Sequence, residues 1–456
     1  MLNLKISHIF EAMQKERFTI VGGGLAGSLL GVFLGQKGYK VDLFERRSDM
    51  RKDDVDGHRS INLSLSNRGI KALERVGLAD LILKDAIPMK GRMMHSPDGE
   101  LAYQPYGLEG QYINSISRAG LNLRLLELAD EHPNVDLHFE YKCLNADLNE
   151  AKTTFKKDSG EIIEHQSDFL VGTDGAYSAV RDAFRTSGRT DYSQTYLEHG
   201  YKELEIPATP DGEFAMDVNS LHIWPRGHFM MIALPNPNKT FTCTLFMPFE
   251  GKDSFDILKT KEEITTFMNT HFADAVPLMP AMLEEFINNP VGSLVTVKTY
   301  PWFKGKSILL GDSAHAIVPF YGQGMNACFE DCTILDDIMT KYLPDWDKVF
   351  DEYQKERKPN DDAIADLAIQ NFIEMRDSVG NPEFLRKKHI EHELNRLYPN
   401  DFDGQYELVT FSHTPYKEAL DQGAKNNALL NHIIEHNLEN KLEDSKLMLE
   451  LIKKYV

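Results

Sequence analysis

Gly22, Gly24 and Gly27 follow the apolar run FTIV, and Glu45 closes the next apolar run, KVDLFE, about 20 residues further on. These types at this spacing can hold a dinucleotide. Glycines let the backbone turn tightly and approach a pyrophosphate, the unpaired N–H groups of a helix start favour an anion, and an acid accepts hydrogen bonds from ribose hydroxyls. The candidate ligands are therefore Gly22, Gly24, Leu25, Ala26, Gly27, Glu45 and its neighbour Arg46. Glu45 suits an adenosine ribose with a free 2′-hydroxyl, which NAD and FAD share, so this fingerprint leaves both open.

Two later stretches narrow the choice. LVGTDGAYSAVR places Asp174 beside Gly175 at the end of an apolar run, and GDSAHAIVPFYGQGMNACFED places Asp312 beside Gly311 after the run SILL. A carboxylate beside closely approaching backbone suits a polyol, and FAD has a ribityl chain where a nicotinamide cofactor does not. Beyond Gly322 a helical pattern begins near Gly324, Met325 and Asn326, and its positive end would favour negative charge on a flavin. His315 stands alone in this stretch and reads as structural. Cys328 and Cys332 share a helix face, but nothing is spaced to complete a metal site, so they read as core and no metal is expected.

The elements that must position these groups begin with strand, glycine turn, helix (Ala26 to Gln36) and strand, a βαβ unit. The residues before it suggest a short added helix. From Gly200 to Pro248, alternating runs such as YKELEIP and FTCTLFMP predict an antiparallel sheet, and beyond Asp331 the spacing turns helical, with breaks expected near Pro359, Pro382 and Pro399. The last apolar residues, Leu429, Leu430, Ile433, Ile434, Leu438 and Leu442, read as one amphipathic helix. The expected class is α/β: a Rossmann-like FAD-binding domain with an antiparallel-sheet substrate domain and a helical C-terminal region. The expected boundaries are 1–190 for the first part of the FAD-binding domain, with 80–112 contributing to the substrate site. Residues 191–295 would form the substrate domain, 296–340 the second part of the FAD-binding domain, and 341–456 the helical region.

Composition removes other classes. A net charge of −20 over 456 residues, with no basic block, argues against nucleic acid or an anionic membrane surface as partner. Phe18 to Gly35 carries no charge, but its glycines argue against a membrane span. Four cysteines without a disulfide framework, and no signal-like N-terminus, point to the cytoplasm. A homodimer is compatible with all of this.

The glycine fingerprint, the Asp174-Gly175 segment and the Gly311-Asp312 segment, in that order, resemble the class A flavoprotein monooxygenases. That resemblance implies bound FAD, NADPH and O2 as co-substrates, and a small aromatic substrate. It adds Arg59 and Arg118 as cofactor contacts beside Asp174, Asp312, Gly324, Met325 and Asn326. The stretches KGRMMHSPDGELAYQPYG, LHIWPRGHFMMIALPN and YELVTFSHTPY are similar to a narrower group within that family, which acts on an aminophenyl amino acid. By that similarity Arg92 and Tyr106 would hold the amino-acid carboxylate, with Asn371 and Tyr406 beside them. Phe246, Phe320, Met230, Ile232 and Met375 would line an apolar slot with Glu374 close by. The chemistry is flavin-borne, so no protein group is named as the catalyst. Where the resemblance suggests a histidine, this chain has Tyr321, and the hydrophobic C-terminal anchor of eukaryotic members is lacking. A hydroxylase of another aromatic acid, and a non-hydroxylating flavoprotein that binds a partner, stay open.

Overall fold

In the computed structural model, residues 15–52, 62–378 and 382–456 are described. The short helix expected before the βαβ unit, and Arg59, lie outside them. A six-stranded sheet runs in the order Phe303–Lys304, Ser307–Leu309, Phe169–Gly172, Arg17–Val21, Lys40–Phe44, Val135–His138. Apart from the short antiparallel Phe303–Lys304 hairpin, its four remaining pairings, which join strands 307–309, 169–172, 17–21, 40–44 and 135–138, are parallel. Both faces are covered, which is why strands such as RFTIV read as unbroken apolar runs rather than as alternation. All three segments singled out for cofactor chemistry leave this sheet at the carboxyl ends of neighbouring strands, where doubly wound sheets bind their ligands.

The second large sheet has seven strands, Gly292–Tyr300, Asp191–Ile206, Phe241–Pro248, Met230–Pro235, Ser220–Pro225, Gly91–His95 and Leu101–Pro105. It is antiparallel except at one join, where Ser220–Pro225 runs parallel to Gly91–His95. That join inserts the Arg92 strand, from the N-terminal half of the chain, beside strands from its middle. The boundary expected at 295/296 falls inside the Gly292–Tyr300 strand. Phe246, Phe320, Phe372, Met375, Val409 and Tyr416 belong to a core where this sheet meets the FAD-binding half and the C-terminal helices.

Two helical expectations are corrected. Pro359 lies within a helix from Trp346 to Ile373 and does not break it. Proline is exposed there, so the carbonyl it leaves unpaired faces solvent, while Tyr353, Arg357 and Ile364 on the opposite face are buried and hold the helix down. Of the terminal apolar residues, Leu429, Leu430, Ile433 and Ile434 lie in a helix Tyr416–Glu435, Leu438 and Leu442 flank a short turn, and a second helix, Ser445–Tyr455, follows. Asn437 adopts φ 52° and Leu438 donates its N–H to Ile433, a left-handed helix stop that asparagine tolerates. Pro382 opens the Pro382–Leu397 helix and Pro399 follows its end, as expected. Among the described residues no helix is long and apolar enough to cross a membrane.

His315 and Asp361 are buried beside Asp331 and Arg357. Burial opposes the His315 charge, but Asp361 and Asp331 outweigh it and raise its pKa to about 9. Burial raises Asp361 to about 8. For both groups the folded value lies above the unfolded one, so their contribution is complete at low pH and is lost as pH rises through the folded values. We therefore expect the melting temperature to fall as pH rises from about 6.5 to about 9. The same scan on His315→Gln should be flatter; an equal slope would assign the loss to other groups.

Candidate active site

The Leu25–Gln36 helix starts at Gly24 with no side-chain cap, and the Gly324–Tyr342 helix starts after Gln323 with none either. Two sets of N–H donors are thus left for a ligand. Gly22 has φ 108°, and a Cβ there would lie 2.5 Å from the Thr173 carbonyl oxygen, so only glycine can bring this turn against the next strand. At Gly24 a Cβ would meet no protein atom within 4 Å, because this position faces open space. That space is part of a cavity of about 680 Å³, which runs from Glu45 and Arg46, past Gly22, Gly24, Leu25 and Ala26, to Asp312, Gly324 and Met325. Its volume lies within the range of cofactor sites, roughly 300–1,000 Å³. Arg118 and Asp174 also line it. Uncapped helix ends, an open glycine face and the exposed carboxyl of Asp312 fit FAD.

The far end of the same cavity is apolar, with Ile232, Phe246, Phe320 and Met375 on its walls. Phe320 packs on Phe246 at 4.8 Å between ring centres and on Phe372 at 4.2 Å. A second cavity of about 330 Å³ adjoins it. Arg92, Tyr106, Tyr321 and Tyr406 line both, and so form the partition between them. Tyr106 and Tyr406 stack at 5.4 Å and Tyr321 on Tyr406 at 5.6 Å. The Arg92 guanidinium sits 5.4 Å from the Tyr106 ring and 5.2 Å from the Tyr406 ring. Its Nε is buried without a hydrogen-bond partner, and among the described residues no carboxylate lies within ion-pair distance of it. Burial lifts the Tyr106, Tyr321 and Tyr406 phenols above their usual values, so they stay neutral hydroxyls.

Residues 16–368 match the family described as FAD binding domain. The chain is 46% identical over 443 residues to the kynurenine 3-monooxygenase of Myxococcus xanthus, covering 96% of this chain and 95% of that protein. It is 48% identical over 462 residues to the kynurenine 3-monooxygenase of Dictyostelium discoideum, covering 98% and 99%. The chain belongs to the kynurenine 3-monooxygenase family. Among solved structures, p-nitrophenol 4-monooxygenase PnpA from Pseudomonas putida DLL-E4 superposes with a TM-score of 0.65 at 18% identity, over 91% of this chain and 99% of that one. The tetrameric form of 2-methyl-3-hydroxypyridine-5-carboxylic acid oxygenase does so with 0.65 at 20%, over 82% and 96%. These last two share the fold.

For this member of the kynurenine 3-monooxygenase family, the structure places most of the expected residues on the joined cavities and moves some off them. Gly27 does not line a cavity; a Cβ there would lie 2.0 Å from the Gly22 carbonyl oxygen, so it serves helix–strand packing. Asn326 is fully buried, its amide donating to the Ser64 and Gly322 carbonyls and its oxygen accepting from the Ser66 N–H. Asp174 lines the cavity, yet its carboxylate accepts from the Ala179 and Val180 N–H groups and from the Ser178 and Ser313 hydroxyls. It clasps the two Asp–Gly turns together. Glu45 accepts from the Gly23 N–H at 2.8 Å and from Arg47. Asn371 and Glu374 lie on the second cavity, and Asn371 donates to the Phe320 carbonyl at 2.6 Å, fixing the ring wall.

Sequence reasoning missed the charged wall of the second cavity. Lys388, on the Pro382–Leu397 helix, lies 3.5 Å from Glu374 and 3.1 Å from Glu391. Glu407 faces the same space, and burial, with Glu391 nearby, raises it to about 7. Nothing in the local sequence marks these residues, since their neighbours are ordinary charges of solvated helices.

Proposed function

We propose that this protein hydroxylates L-kynurenine to 3-hydroxykynurenine, using FAD, NADPH and O2, and that Arg92 is the group that selects the substrate's carboxylate. The observation that carries this reading is the half-satisfied guanidinium in the tyrosine partition: its buried Nε has no hydrogen-bond partner, and a bidentate carboxylate is the natural partner of such a fork. The neutral Tyr106 and Tyr406 hydroxyls add directional hydrogen bonds, and Glu374, on the second cavity, suits the substrate's ammonium. With the amino-acid end held there, the aminophenyl ring lies among Phe246, Phe320 and Met375. Glu45, the uncapped Leu25–Gln36 helix end, Asp312 and the Gly324–Met325 turn hold FAD, which supplies the electron transfer and oxygen activation. The protein's contribution is position and the exclusion of water by the aromatic walls. Four free cysteines, three of them buried, support a reducing cytoplasm as its location.

The purified yellow protein should consume NADPH faster when L-kynurenine is added, with a product heavier by one oxygen. Faster consumption with only peroxide formed would make kynurenine a mimic of another aromatic acid, and no acceleration would refute the reading. Asp312→Ala should weaken FAD binding by about 10–100-fold, as expected when a charged hydrogen-bond acceptor is removed from its ligand. Fluorescence of released FAD measures this.

A further inference from the structure

A buried chain of ion pairs joins the two halves of the site while lining neither cavity. At one end, Arg68 donates through Nη2 to the Thr414 carbonyl and through Nε to the Val409 carbonyl at 3.3 Å, with its guanidinium 4.0 Å over the Tyr416 ring. Val409 belongs to the Gln405–Thr410 helix, which presents Tyr406 to the substrate cavity. Arg68 Nη1 donates to Glu330, whose other oxygen accepts from Arg357 Nη1 at 2.7 Å. Arg357 Nε donates to Asp331 Oδ1 at 2.6 Å. Asp331 Oδ2 then accepts from His315 Nε2 at 2.6 Å and from the Gly311 backbone N–H at 3.0 Å. Gly311 has φ 65° and immediately precedes Asp312.

The chain is dry. Arg68, Arg357 and Asp331 are at most 2% exposed and Glu330 is 9% exposed. Its members come from the Asn67–Arg75, Gly324–Tyr342 and Trp346–Ile373 helices, none adjacent in sequence to either end of the chain. Among the described residues His315, Asp331 and Asp361 alone have the spacing of a metal site, but the Arg357 guanidinium already stands between Asp331 and Asp361, bonded to both. Buried ion pairs are poor net stabilisers, because desolvation offsets most of their attraction, whereas the fixed fork of an arginine holds geometry closely. A core position needing only stability could be apolar. This one ends on His315 and the Gly311 backbone N–H, both at the cofactor turn.

Building on the assignment of the tyrosine partition to kynurenine, we propose that Arg68 and Arg357 are positioning residues that couple the two ligands: they hold the Asp312 turn in register with the Tyr406 helix, so that filling either site orders the other. Linkage then requires that FAD and kynurenine strengthen each other's binding by one common factor.

The test uses the FAD-loaded Arg68→Met and Arg68→Lys proteins. Methionine leaves Glu330 paired with Arg357, and lysine keeps the charge but cannot reach Glu330 and both carbonyls together. Hydrogen exchange in the 309–316 segment should quicken by about 5-fold or more in Arg68→Met, and less in Arg68→Lys, although Arg68 touches no residue of that segment. In the parent protein kynurenine should lower the FAD dissociation constant by about 5-fold or more, the lower end of usual coupling, and in Arg68→Met by under about 2-fold. Quickened exchange confined to residues 405–416, or a mutual factor undiminished in Arg68→Met, overturns the proposal. A parent whose two ligands bind independently also overturns it while leaving the substrate assignment intact. If kynurenine does not bind, the substrate assignment falls and the exchange result alone decides the coupling.

Discussion

Arg92→Ala should lower kcat/KM for L-kynurenine by about 30–1,000-fold, mainly through KM, because truncating one partner of a buried charge pair costs about 2–4 kcal/mol. The protein should stay folded and yellow, since among the described residues Arg92 makes no ion pair and its Nε has no partner to lose. Arg92→Lys should recover little of the loss, as an ammonium cannot form the fork to a carboxylate. Steady-state kinetics beside the visible absorbance of bound FAD separate these outcomes. Full turnover by Arg92→Ala would remove the carboxylate from the tyrosine partition, and loss of FAD would show that Arg92 supports the fold.

Gly27→Val should abolish the FAD-loaded protein altogether. The first atom of any side chain at 27 meets the Gly22 carbonyl oxygen at 2.0 Å and the Thr173 hydroxyl at 2.5 Å, both held by hydrogen bonds at the strand ends. Neither can retreat without parting the helix from the sheet, a cost of several kcal/mol for overpacking in a dense core. Gly24→Ala is the matched control. Its Cβ enters empty space, so the chain should fold normally and suffer only in FAD affinity. Purified yield, far-ultraviolet dichroism and FAD content distinguish the two. A soluble, FAD-loaded Gly27→Val protein would show that the helix and sheet can separate at this point, and unchanged FAD affinity in Gly24→Ala would move the pyrophosphate away from this helix end.

The cofactor half of the site was legible in one dimension because its physics is local. A strand, a glycine turn and a helix start are contiguous, so Gly22, Gly24 and Glu45 announce a dinucleotide site without knowledge of the fold, and Asp312 beside Gly311 adds the flavin. Even there, what each residue does was less legible than where it lies. Asp174 and Asn326 stand in the expected segments, but the structure commits their side chains to holding turns together.

The substrate half was named through likeness to a family, and its arrangement belongs to the tertiary structure. The Arg92 strand reaches its place only by a parallel pairing with Ser220–Pro225, and Tyr406 arrives from the C-terminal helices to stack on Tyr106. No spacing rule connects such positions. Lys388, Glu391 and Glu407 look like surface charges along the chain and become a cavity wall only when helices close over them. By itself, then, this sequence determined the α/β class, the flavin fingerprint and the small-ligand chemistry, all of which depend on short-range backbone geometry and composition. Only the folded chain decided the division into two cavities, the tyrosine partition around Arg92 and the buried Arg68–Glu330–Arg357–Asp331 chain, because contacts between residues hundreds of positions apart are set by packing and by the cost of burying charge without a partner.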